Sequence, residues 1–299
     1  MMANILTSRI VTDILGGLTA GVVIGLVALS LVLVWQSTNV LNFAQGAMAM
    51  FATYVGMTQL DHQLNYWLCV AIAVVVGFFF GGITERVLVR PLYGKAEINP
   101  IVVMVGFLSL LEAVASSIWS SIPRFPTPPF STTYFQSGGS PTGLSPFALF
   151  QIIAAFAVMA IVAVLFRYTN LGLKLRSAAL APEVAKLLGV RVGRLLTLGW
   201  ALSTAVGAVA AIVISSGDAG LFPSNMESIF IAGFIAAAIG GLESPGGALL
   251  AGVVIGIIMQ FINDFANSGY AGFVGVILLV ISLLIRPQGL FTKNTQRRV

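Results

Sequence analysis

Few side chains in this sequence can do chemistry, and those few sit in unusual places. Glu112 lies near the middle of an apolar run, Leu108-Ser-Leu-Leu-Glu-Ala-Val-Ala-Ser-Ser117. A carboxylate at the centre of a bilayer costs about 2.5–3.5 kcal/mol on insertion scales. It therefore faces a cavity or a partner, or carries a proton, and counts as a functional candidate. Ser109, Ser116 and Ser117 fall on related helical faces. A hydrogen bond to another helix explains Glu112 as well as a role in a pore does.

Two polar breaks add candidates. The stretch Ser37–Gly46 sets Asn42 and Gln45 before a run rich in Met and Ala. The stretch Gly240–Gly247 carries Glu243 among five glycine or proline positions. Broken backbone survives at membrane depth only where protein or water satisfies it. Leu41-Asn-Phe-Ala-Gln-Gly-Ala-Met48 aligns loosely with Leu242-Glu-Ser-Pro-Gly-Gly-Ala-Leu249, sharing Gly-Ala at an offset of 201 residues. Transporters built from two related halves place discontinuous helices this way. A pair of unrelated surface turns accounts for it equally well.

Other chemistries lack their residues. With one histidine, His62, and one cysteine, Cys69, there is no His/Cys metal cluster and no disulfide framework. No HExxH, paired-Asp motif, Ser/His couple or Walker A pattern occurs. The chain is expected to hold no metal or cofactor and to catalyse nothing itself.

The elements that must position these residues follow from composition. Of 299 residues 58% are hydrophobic and 8% charged, with a mean hydropathy of +1.00. So few charges cannot cover a soluble surface, which excludes a soluble enzyme, a nucleic-acid-binding domain and a disordered chain. The sequence predicts an all-α polytopic membrane protein with eight or nine transmembrane helices, some broken, in one domain over residues 1–299. Candidate spans are Ile14–Val34, Asn42–Leu60, Tyr66–Thr84, Ile98–Ile122, Pro146–Phe166, Leu195–Ser215, Ser228–Gly241, Gly246–Ile262 and Ala271–Ile285. Ser228–Gly241 is too short to span comfortably. The first segment is longer than a signal-peptide core and reads as a span.

Thirteen of the 15 basic residues fall in three places: the Arg86–Lys95 loop, the Arg167–Arg194 loop and the tail from Arg286. Only Arg9 and Arg124 lie elsewhere. Nine crossings put all 13 on one face, which the positive-inside rule makes cytoplasmic, with the C-terminus inside. Glycine runs at Gly16, Gly17, Gly21 and Gly25, and at Gly252 and Gly256, suit close helix packing inside the bundle more than a dimer seam.

The loop over residues 167–194 holds a short helix, Pro182–Leu188. Pro182 suits a first helical position, Glu183 the positive end of the helix dipole, Lys186 the last turns and Gly189 a C-terminal cap. Ala185, Leu187 and Leu188 give it an apolar side with no lipid to bury in. Such a face asks for a protein partner, or for the ends of the chain's own helices.

Five stretches in order resemble one family: Leu41–Met48, Gly172-Leu-Lys-Leu-Arg176, Ala181–Val190, Ile239–Ala248 and Ile285-Arg-Pro-Gln-Gly-Leu-Phe291. Together they resemble the inner-membrane permeases of ABC importers for branched-chain amino acids, the LivH/LivM type, closer to LivH. The resemblance covers about residues 14 to 291. It implies a LivM-like second permease or a second copy, two ATPase subunits, an extracytoplasmic solute-binding protein and a bacterial inner-membrane location. It also implies that the loop helix is a coupling helix, with Glu183, Ala185 and Gly189 matching the Glu, Ala and Gly of an EAA-like loop. The chain departs from the common Asn-Phe-Ala-His-Gly in carrying Gln45, so no role rests on an imidazole there. The reading is a permease forming half of a translocation path, with Asn42, Gln45, Ser109, Glu112 and Glu243 as path residues. Pro182, Glu183, Ala185, Lys186, Leu188 and Gly189 would make the coupling contact. The alternative is an ion-coupled carrier using Glu112 and Asp264, which has no need of a cytoplasmic helix.

Overall fold

The computed structural model describes residues 2–291 except Glu97, Gly138, Gly139, Ala181, Asp218, Asn267, Pro287 and Gln288. The basic tail residues Lys293, Arg297 and Arg298 lie outside the described residues. Each of the nine apolar segments forms a helix, and two more helices occupy the long basic loop. In order they are α1 (Met2–Thr38), α2 (Gln45–Met57), α3 (Tyr66–Thr84), α4 (Ile98–Trp119), α5 (Pro146–Tyr168), α6 (Asn170–Leu180), α7 (Pro182–Leu187), α8 (Val192–Ser215), α9 (Glu227–Gly240), α10 (Pro245–Phe265) and α11 (Ser268–Ile285). In the connection after α4, Gln136–Ser137 pairs antiparallel with Ser140–Pro141.

Six helices are long and apolar enough to cross a bilayer: α1 from Arg9, α3, α4, α5, α8 and α10. With 13 and 14 residues, α2 and α9 fall short of the roughly 20 a span needs. The causes are local. Before α2 the chain turns at Asn39, with φ +53, and the Ala44 N–H donates to Asn42 Oδ1 at 3.0 Å. So the stretch expected to span from Asn42 to Leu60 is a shorter helix followed by a 3-10 turn, Thr58–His62. After α9, Gly241 takes φ +99, and Ser244 caps α10 by accepting from the Gly247 N–H at 3.1 Å. The two stretches that align in sequence thus share a helix start. The segment after α11 folds back on this turn. Leu290 N–H donates to Ile239 O at 2.8 Å and Phe291 N–H to Gly240 O at 3.3 Å, satisfying carbonyls that α9 leaves open.

α1 and α8 are buried along most of their length and form the centre, with Leu26, Leu29, Leu33, Trp200 and Ile212 closed off. α1 lies against α10 through the two glycine runs. A β-carbon at Gly21 would stand 2.6 Å from Val253 Cα, and one at Gly252 would stand 2.6 Å from Gly25 Cα. Only glycine lets these backbones meet, and the seam is internal to the chain. α4 and α5 are mostly exposed and apolar, which suits lipid or a second membrane subunit.

The two ends of the bundle differ in charge. At one end Arg86, Arg90, Arg191 and Arg194 surround a cavity of about 470 Å³. At the other, Arg9 pairs with Asp264 at 2.6 Å and Arg124 with Asp61 at 3.4 Å.

Candidate translocation site and coupling surface

The polar break before α2 is knitted into the bundle. Asn42 and Gln45 are both buried. Asn42 Nδ2 donates to Gln45 Oε1 at 2.9 Å, and Gln45 Nε2 donates to Ser203 O on α8 at 3.1 Å. Ser203 Oγ donates in turn to Ser30 O on α1 at 2.6 Å. Buried amides retained in this way have their hydrogen-bonding capacity used by neighbouring helices. Asn42 and Gln45 therefore fix where α2 begins and stand behind the cavity that its first turn faces.

That cavity, of about 350 Å³, is lined by Phe43, Gly46, Ala47, Leu108, Glu112, Pro223, Met226, Glu227, Phe230 and Ile231. α4 supplies Glu112 and the start of α9 supplies Glu227. The two carboxyl groups face the same cavity. Two carboxylates facing one cavity repel each other, and a cation between them would relieve that repulsion. α2 has no capping side chain at Ala44. Its first-turn N–H groups at Gly46 and Ala47 therefore remain donors, at the positive end of the helix. The rest of the lining is apolar. The site combines an anionic pair, an uncapped helix N-terminus and an aliphatic wall.

The other expected path residues lie apart from it. Ser109 is exposed on α4 and its hydroxyl donates back to Val105 O at 3.4 Å. Glu243 is exposed on the α9–α10 turn, where its backbone carbonyl accepts from Gln36 Nε2 at 2.9 Å. The length of α9 separates it from Glu227. Asp264 is committed to Arg9. Glu227 is the member that the sequence does not reveal: it stands one residue ahead of the apolar segment Ser228–Gly241, and α9 begins with it.

The basic loop holds two helices where one was expected. α6 precedes α7, and Leu175 and Ala178 on it pack with Ala185, Val192 and Leu195 in a small closed cluster. Ala185 therefore faces inward. The exposed apolar side consists of Val184 and Leu187 on α7 and Leu188 just after it, with Leu187 88% exposed. Gly189 has φ +79, and Val190 N–H donates to Ala185 O at 2.9 Å. This is a Schellman ending, in which a left-handed residue lets the following amide reach back to satisfy the helix. The side chains of Pro182, Glu183 and Lys186 lie outside the described residues. Beside this surface is a network the sequence did not reveal. Arg90 meets fully buried Glu85 at 2.9 Å and also donates to Gly193 O at 2.6 Å and Thr197 Oγ1 at 2.7 Å.

A helical bundle with interrupted spans, an interior cavity and a short helix whose outer face is left exposed has the architecture of a membrane transport subunit. The profile of the branched-chain amino acid transport system permease component matches residues 13–283. The chain belongs to this family, the membrane permeases of ABC transporters, and is not itself an enzyme. It is similar to the high-affinity branched-chain amino acid transport system permease protein BraD of Pseudomonas aeruginosa, at 27% identity covering 96% of this chain and 97% of that protein. It is also similar to the probable branched-chain amino acid transport permease LivH of Methanocaldococcus jannaschii, at 30% identity over 89% and 87%. In fold it resembles a chain of PsaBC from Streptococcus pneumoniae in complex with Fab. The TM-score is 0.52 and the identity 15%, over 93% of this chain and 91% of that one.

Proposed function

We propose that this chain forms half of the translocation path of an ABC importer for small zwitterionic amino acids, branched aliphatic ones first. It would act in the bacterial cytoplasmic membrane with two ATPase subunits, a solute-binding protein, and a LivM-like permease or a second copy. The observation that carries the reading is the cavity between α2, α4 and α9. An amino acid brings an ammonium, a carboxylate and, in the branched case, an aliphatic side chain. Glu112 and Glu227 suit the ammonium, the N–H groups of Gly46 and Ala47 suit the carboxylate, and Leu108, Met226 and Phe230 suit the side chain. Half-helix ends serve anions in this way because the helix dipole and free N–H groups act together.

The ATPase contact is assigned to the exposed face of α7, with Pro182, Glu183, Lys186, Leu188 and Gly189 in that helix and its cap. Ala185 anchors the helix from behind. Closure of the ATPases would move α7, and through Arg90 and Glu85 the ends of α3 and α8 would follow.

The test is leucine uptake by the whole complex in proteoliposomes. Glu112→Gln and Glu227→Gln each remove one charge-assisted contact, worth about 1.5–3 kcal/mol, so uptake is expected to fall at least tenfold while assembly is retained. Uptake that survives without ATP and stops on collapse of an ion gradient would establish an ion-coupled carrier instead. Unchanged uptake in both variants would remove the cavity from the path.

A further inference from the structure

The charged end opposite the basic loops carries a second cavity, of about 530 Å³. Three separate stretches build it: the end of α2 with the 3-10 turn, the segment after α4, and Leu221 ahead of α9. Arg124 is one of the two basic residues that lie outside the basic loops and tail. Its backbone is fixed from both sides, because Arg124 N–H donates to Leu221 O at 2.9 Å and Leu221 N–H donates to Arg124 O at 2.7 Å. The guanidinium reaches Asp61 at 3.4 Å, with side-chain exposures of 45% and 68%. A tight charge-assisted pair closes to roughly 2.7–2.9 Å. This pair is longer than that, and both of its members line the cavity. The other basic residue at this end, Arg9, is tightly engaged with Asp264 at 2.6 Å.

The remaining lining fits one ligand class. Met57, Leu60, Phe125 and Pro126 give an apolar wall beside the opposite charges. An α-amino acid carries its carboxylate and ammonium on one carbon with the side chain beside them. The planar fork of Arg124 suits the carboxylate, and Asp61 suits the ammonium. Tyr54 closes the floor. Its ring stacks on Trp119, with centroids 4.8 Å apart and planes 15° apart, and its hydroxyl donates to Leu221 O at 3.4 Å.

The Glu112–Glu227 cavity lies further back along α2. α2 lines the inner cavity with Gly46 and Ala47 and the outer one with Tyr54 and Met57. At 1.5 Å per residue, Ala47 and Tyr54 stand about 10 Å apart along the helix. Leu221 belongs to the outer cavity and Pro223 to the inner one.

We infer that the outer cavity is a receiving subsite for zwitterionic amino acids. Arg124 takes the carboxylate, Asp61 takes the ammonium, and the Tyr54–Trp119 stack is the partition that must part for passage to the inner cavity. The inference rests on the transport reading above.

The test uses the whole reconstituted complex with its solute-binding protein. Thr127→Cys, on a Cys69→Ala background, is labelled from outside with an impermeant thiol reagent, and leucine uptake is measured in the same vesicles. Leucine is expected to slow labelling at least fivefold, while isoamylamine and isocaproate, which each lack one charged group, leave the rate unchanged. Arg124→Gln is expected to abolish the protection and raise the half-saturating leucine concentration about tenfold or more. Two results would overturn the inference: leucine transported at an ordinary rate without protecting Thr127→Cys, or protection by the ligand-free binding protein alone, which makes the cavity a protein-docking contact. Failure of the unmodified complex to move leucine at all would overturn the transport reading itself.

Discussion

At the scale of single residues, the interaction most exposed to test is Glu85 with Arg90. They lie five apart, a spacing that a regular α-helix does not bring together. Here the backbone widens into a π-helical turn over Glu85–Val89, closed by Arg90 N–H on Glu85 O, and residues five apart come into register. Glu85 is fully buried, and Thr197 and Tyr93 also donate to it, at 2.8 and 3.2 Å. Burial and the neighbouring Glu85 charge hold the Tyr93 phenol well above its ordinary range, so it remains a donor. Arg90→Ala would leave a buried carboxylate without its cation, at a cost of about 3–5 kcal/mol. Thermal unfolding in detergent should show a fall of several degrees. Arg90→Lys should recover only part of it, because one ammonium cannot serve Glu85, Gly193 and Thr197 in the geometry of the fork. A shift no larger than that of an ordinary surface pair would show the network to be slack. In the sequence Arg90 was visible as a topogenic charge, whereas its partner was not: the pairing depends on a turn that no periodicity announces. Glu112 was visible because an acid in an apolar run stands out, and Glu227, at the edge of a short run, did not.

At the scale of elements, the legible features were those written in local chemistry. Pro182 and Gly189 bracket α7, and the two polar breaks mark real helix starts. α6 was hidden because its apolar residues, Leu171, Leu175 and Ala178, alternate with basic ones and read as loop. The inward face of Ala185 was hidden for the same reason, since without α6 there was nothing for it to pack on. Gly189 separates the fold from its coupling. A β-carbon there meets nothing within 4 Å, so the penalty of Gly189→Val is the left-handed backbone alone, about 1–2 kcal/mol. The helix exit should loosen and the face of Val184, Leu187 and Leu188 should lose its aim, with insertion and permease pairing intact. Substrate-stimulated ATP hydrolysis should drop severalfold. Wild-type stimulation with normal co-purification of the ATPases would show that α7 is not the coupling element.

At the scale of the whole molecule, charge decides the orientation. Arg86, Arg90, Arg191 and Arg194 come from two loops more than 90 residues apart in sequence and gather at one cavity, beside α6 and α7. Basic residues near span ends are retained on the cytoplasmic side. Among the described residues, the arginines at the opposite end are paired with aspartates, which offer little net charge to the rule. If α2 and α9 each count as a crossing, nine passes set the two chain ends on opposite faces, with the segment after α11 on the basic side. The short helices need not reach both surfaces unaided, since Asn42, Gln45 and the Leu290–Phe291 segment supply the hydrogen bonds that missing turns would have made. Two exposed positions test the orientation, again without the buried native thiol of Cys69. Ile122, 72% exposed after α4, and Leu188, 78% exposed after α7, belong to opposite ends. In intact cells an impermeant thiol reagent should label Ile122→Cys readily and spare Leu188→Cys until the membrane is opened. The reverse pattern would turn the molecule over. Labelling of both positions from outside would mean that α5, the one candidate span between them, does not cross, which would put the Arg86–Lys95 and Arg167–Arg194 loops on opposite faces.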